Sequence, residues 1–178
     1  MPLNSALGKK YEKTHAYKIF ILVEICVVAF ILSTTGNFPE NIASHFNAAG
    51  VPNGFMSQKG YLISMLVFVI GIPAVVVGGS SVALRSAQGS INIPNKNYWL
   101  APARKQETIE FLNGHMAWFG SIFALFLSYV NWLLIKANSV QPAQLSKYHL
   151  FLGIGVLLVS ILLWGTLLSV KFMRSPKL

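Results

Sequence analysis

Residues 61–84 read YLISMLVFVIGIPAVVVGGSSVAL, twenty-four positions without one charged side chain. As a helix this stretch is about 36 Å long, against a bilayer hydrocarbon core of roughly 30 Å. It is long enough to cross a membrane, and the pattern recurs. Residues 19–35, 116–135 and 150–170 are comparably apolar and reach about 25 to 32 Å as helices. Strands are excluded on two grounds. An isolated strand in lipid leaves its backbone unpaired, and the ten-residue alternation of a membrane barrel is missing.

Composition agrees. The 178 residues are 54% hydrophobic and 11% charged, whereas about a quarter of a soluble domain is charged. The chain reads as all-α: one transmembrane domain over 1–178, an integral membrane four-helix bundle. A loop at 36–60 joins the first two spans and a loop at 85–115 the second and third. From Pro102 that second loop becomes helix-compatible, with Ile109, Leu112 and Met116 on one face. A short interfacial helix running into the third span is predicted there.

Orientation follows from the fourteen basic residues. Lys9, Lys10, Lys13 and Lys18 precede the first span. Arg85, Lys96, Arg104 and Lys105 lie between the second and third, and Lys171, Arg174 and Lys177 follow the fourth. Only Lys59, Lys136 and Lys147 fall on the other face. The positive-inside rule places both termini and loop 85–115 in the cytoplasm. The net charge of +9 thus serves orientation and anionic lipid contact, and nucleic acid is not an expected partner. The first span follows eighteen residues and no A-x-A site succeeds it, so it is read as a retained anchor.

Catalytic and metal-binding patterns are sparse. The lone Cys26 forms no intramolecular disulfide or cysteine cluster. There is no aspartate, no H-E-x-x-H and no phosphate-binding glycine loop. No catalytic residue, metal or cofactor is expected, although His45, His149 and Glu40 share the outer side, where a metal site is conceivable. Glu24 stands out, because a carboxylate inside an apolar run costs about 2 kcal/mol or more if it faces lipid. It is expected to turn inward and pair with Ser80, Ser81, Arg85 or His115. Gly78 to Ser81 and Gly153 with Gly155 are expected to let another helix approach closely. Pro73 lacks an amide donor inside the second span.

The loop NFPENIASHFNAAGVPNGFMSQKG, residues 37–60, has a designed look. Pro39 and Pro52 fix the chain, Gly50 and Gly54 permit tight turns, and Asn47 and Asn53 favour them. Ile42 and Phe46 form a one-turn apolar pair, which predicts a short helix followed by a turn.

Residues 39–54 carry the pattern P-x-x-I-A-x-H-F-N-x-x-G-x-P-x-G. It resembles that of a small bacterial membrane domain of unknown function, the DUF1648 type, found at the N-terminus of proteins conferring immunity to the sporulation-delay toxin and in short stand-alone membrane proteins. The resemblance covers about residues 15 to 85, and NYWLAPARKQETIEFL at 97–112 is similar to a stretch of the stand-alone members. It implies a bacterial cytoplasmic (inner) membrane and an exported loop in which Pro39, His45, Phe46, Asn47, Gly50, Pro52 and Gly54 shape a recognition surface. It implies no enzymatic activity. The expected role is interaction, either as an accessory subunit among other membrane protein subunits or as a stand-alone sensor or immunity-like protein. The alternative is a small proton-linked transporter or membrane enzyme using Glu24 and a histidine.

Overall fold

In the computed structural model the backbone is described over residues 3–86 and 91–174, and side chains over 15–86 and 91–174. The side chains of Lys9, Lys10, Glu12, Lys13 and Lys177 lie outside the described residues. The elements are α1 (Leu3–Thr35), β1 (Asn41–Phe46), β2 (Pro52–Ser57), α2 (Gln58–Ser86), α3 (Lys96–Trp99), α4 (Lys105–Asn138) and α5 (Lys147–Met173). Four helices are long and apolar enough to cross a membrane: His15–Thr35 within α1, and α2, α4 and α5 entire. The chain is a four-helix membrane protein.

α4 is the hub, packing against α1, α2, α5 and β1. Its sequence explains why. Gly114, Ala117, Gly120, Ser121 and Ala124 form a buried small-residue face, and without a hydrophobic drive between helices in lipid, close backbone approach is what holds them together. At Gly120 an added Cβ would lie 2.6 Å from Val77 Cγ2 of α2 and 3.0 Å from Phe20 of α1. α2 answers with a stripe of Tyr61, Met65, Val69, Pro73 and Val77, one residue per turn. Of the small patch expected at Gly78 to Ser81, Gly78 and Gly79 have nothing within 4 Å among the described residues, while Ser81 meets Tyr17 of α1 and Asn113 of α4. Gly153 is a true close approach, lying directly under the Tyr129 ring, while Gly155 faces open space.

The helix expected from Pro102 is present as the opening turns of α4 and runs unbroken into the span, with Ile109 and Leu112 buried. In front of it, Asn95 and Trp99 close the end of α5. Asn95 Nδ2 and Trp99 Nε1 both donate to Phe172 O, at 3.0 and 3.1 Å, which satisfies a terminal carbonyl that the helix leaves unpaired. The 97–112 stretch contributes Trp99 to this closure.

The loop 36–60 differs from its reading. It is a two-stranded antiparallel hairpin, pairing Asn41 with Ser57, Ile42 with Met56, Ala43 with Phe55 and His45 with Gly54. A single Ile42–Phe46 turn is too short to pay the nucleation cost of a helix, and the surrounding residues favour a hairpin. Asn47 Oδ1 accepts from the amides of Ala49 and Val51 at 2.9 and 3.0 Å, and Gly50 takes φ +80° to complete the turn.

Candidate functional site: the hairpin platform

The hairpin is built into the bundle rather than laid on it. Ile42 is fully buried and joins Val27, Ile31, Phe38, Tyr61, Met65 and Val69 in the main apolar cluster. Next to it the Asn138 side chain acts as a substitute strand. Its Oδ1 accepts from Ala43 N at 2.9 Å and its Nδ2 donates to Ala43 O at 3.0 Å. The turn is tied to the α4–α5 connection, where Leu145 N donates to Gly50 O at 2.9 Å and Gln144 Nε2 to Ala49 O at 3.1 Å. Gln58 Nε2 donates to Thr35 O and Phe38 O, both at 2.9 Å, closing the end of α1.

Beneath the platform lies a polar tier. Tyr61 O–H donates to Asn131 Oδ1 at 2.6 Å, and Asn131 Nδ2 to Thr34 Oγ1 at 3.2 Å. A second tier sits at the opposite, basic end. Ser81 O–H donates to Asn113 Oδ1 at 2.8 Å, so Tyr17 is the donor in its 3.0 Å bond to Ser81. Asn113 and Asn131 are separated by eighteen residues of one helix, about 27 Å. That separation matches the hydrocarbon thickness of about 30 Å, so the tiers mark its two boundaries.

These contacts sort the sequence-predicted residues. Asn47 and Gly50 are committed to the turn, and Gly50 is buried against Leu145. Gly54 makes room for the imidazole opposite it, since a Cβ there would sit 3.0 Å from His45 Cβ. His45 itself is exposed, as are Pro39 and Asn47, while Phe46 and Pro52 are half-buried. Phe55 and Val51, not singled out from sequence, are 58% and 46% exposed. Asn138, Gln144 and Asn131 were also missed. The signal available for Asn131 was an amide inside an otherwise apolar run.

The intramembrane set does not assemble. Both carboxylate oxygens of Glu24 are buried and lack a hydrogen-bond partner among the described residues. Every partner expected for it is placed elsewhere. Ser81 is held by Tyr17 and Asn113, and Ser80 donates to Val77 O at 3.0 Å. Arg85 is exposed at the basic end. His115 is locked to α5: its Nε2 lies 2.9 Å from Trp164 O, Trp164 Nε1 donates to His115 O at 2.9 Å, and the rings stack at 4.8 Å. Tryptophan inside the fourth span is thus an inter-helix staple. Glu24 lies seven residues beyond Tyr17 and ten before Thr34, well inside the hydrocarbon layer. His149 turns to Ser146, at 2.8 Å through Nδ1. Among the described residues no group of three His, Cys, Asp or Glu side chains is placed to hold a metal ion, so His45, His149 and Glu40 do not form one.

Against known proteins, residues 21–71 match the family model described as a domain of unknown function, DUF1648. Over that segment the chain is similar to a DUF1648 domain. The matched segment runs from the first span through the hairpin into the first half of α2. Within the matched segment lie Glu24, the whole hairpin, Gln58 and Tyr61. The residues that brace it, Asn131, Asn138 and Gln144, come from beyond the matched segment. No curated protein and no solved structure matches the chain significantly.

Proposed function

We propose that this protein works by protein interaction and not by catalysis, with the hairpin as an extracytoplasmic recognition platform. It serves either as an accessory subunit among other membrane protein subunits or as a stand-alone sensor or immunity-like protein in a bacterial inner membrane, both termini being cytoplasmic. The observation that carries this reading is the contrast between the hairpin's braced backbone and its exposed side chains. Its backbone is pinned at Ala43, Ala49 and Gly50 by Asn138, Gln144 and Leu145. Its side chains His45, Val51 and Phe55 are exposed at the end of the bundle, beyond the Thr34–Tyr61–Asn131 boundary.

Exposed apolar side chains on a braced scaffold suit recognition, since binding loses little further entropy to ordering. The rival reading, proton-linked transport, draws support from the unpartnered Glu24 carboxyl but lacks a histidine beside it. A photo-reactive residue at Phe55 tests the preferred reading in native membranes. One discrete protein adduct is expected there, with none from the same probe at lipid-exposed Val75. Lipid adducts alone at both positions contradict it.

A further inference from the structure

The basic end of the bundle holds a cleft of about 500 Å³ between the end of α2 and the start of α4. Two cations line it, Arg85 and Lys105, together with one carboxylate, Glu110. Glu110 is already engaged, accepting from Gln106 Nε2 at 2.9 Å. Neither Arg85 nor Lys105 has a side-chain partner among the described residues, so the lining carries a surplus positive charge.

The wall of the cleft supplies a second observation. Asn113 is 2% exposed and lines the cleft. Its Oδ1 is taken by Ser81, whereas its Nδ2 makes no hydrogen bond among the described residues. An amide N–H on a cleft wall that no described side chain takes up is a donor a bound group can use. Cations at the mouth and an amide N–H on the wall fit an oxyanion.

Position selects the source of that oxyanion. Asn113 marks the hydrocarbon boundary and Arg85 stands one helical turn past Ser81, about 6 Å farther out, at headgroup depth. One turn the other way, Val82 is 68% exposed and lies beside lipid tails. We propose that this cleft binds the phosphate of an anionic phospholipid, with Arg85 and Lys105 on the phosphate oxygens, Asn113 Nδ2 donating from the wall and the acyl chains lying along α2. Basic pockets between membrane helices suit such headgroups. The proposal is independent of what the hairpin recognises.

Native mass spectrometry of the full chain in mild detergent tests it, with phosphatidylglycerol or phosphatidylcholine added and inorganic phosphate as competitor. The wild type is expected to retain phosphatidylglycerol over phosphatidylcholine. The double variant Arg85→Gln/Lys105→Gln should lose about twenty-fivefold in apparent affinity, at about fivefold per charge. Both positions lie at the bundle's rim, and an unchanged melting profile shows that the fold persists. Arg174→Gln removes a charge at the same end but outside the cleft and should leave retention unchanged. Equal retention by wild type and double variant overturns the site, as does an equal loss from Arg174→Gln, which would mean a diffuse basic field. Displacement by millimolar inorganic phosphate overturns the lipid assignment.

Discussion

The two ends of this bundle solve the same problem in opposite ways. Helix and strand termini leave backbone groups that need partners. At the hairpin end the chain supplies those partners itself, through Asn47, Gln58, Asn138 and Gln144. At the basic end α5 is closed by Asn95 and Trp99, yet a cleft is left whose two cations, Arg85 and Lys105, have no side-chain partner among the described residues. A self-satisfied end has only its exposed side chains to offer, which suits protein recognition. An unsatisfied end is completed from outside, which suits a small polar headgroup.

The comparison breaks most readily at the turn. Gly50→Ala forces a side chain into a positive-φ position and against Leu145 O, and should cost about 3 kcal/mol or more in unfolding from mixed micelles. A loss below about 1 kcal/mol would show that the hairpin is not docked. Asn138→Ala strands the amide and carbonyl of buried Ala43 and should cost about 2 kcal/mol. Asn138→Asp keeps the acceptor for Ala43 N and is expected to lose less. At the other end, His115→Phe preserves a ring against Trp164 but removes the bond to its carbonyl. A cost of about 1 kcal/mol is expected, with protease sensitivity rising at α5 and unchanged at the hairpin. The smallest effect is that of Glu24→Leu, which deletes two orphaned oxygens and should leave stability unchanged or raised by up to about 1 kcal/mol. Destabilisation there would reveal a partner for Glu24.

The spans were legible because apolar length is a local property. The runs at 61–84 and 150–170 extend to 58–86 and 147–173 in the structure, since helices continue past the hydrocarbon wherever side chains can cap them or water can solvate them. The third run, 116–135, continues back to Lys105 and on to Asn138. What sequence concealed was tertiary. Ile42 and Phe46 suit a helical turn as well as a strand, and the choice is made by Asn138, ninety-five residues from Ala43. The small-residue face of α4 was present in the sequence at 114–124 but was less conspicuous than the Gly78–Ser81 run. Glu24 announced itself as unusual, but its isolation appears only once its expected partners are seen elsewhere.

Cysteine accessibility in intact cells tests the central claim, an exported platform at the end of the bundle opposite the termini. With Cys26 replaced by Ser, a membrane-impermeant maleimide should modify Asn53→Cys without lysis and should modify Asn97→Cys only after permeabilisation. Labelling of position 97 from outside, with position 53 protected until lysis, would contradict the account.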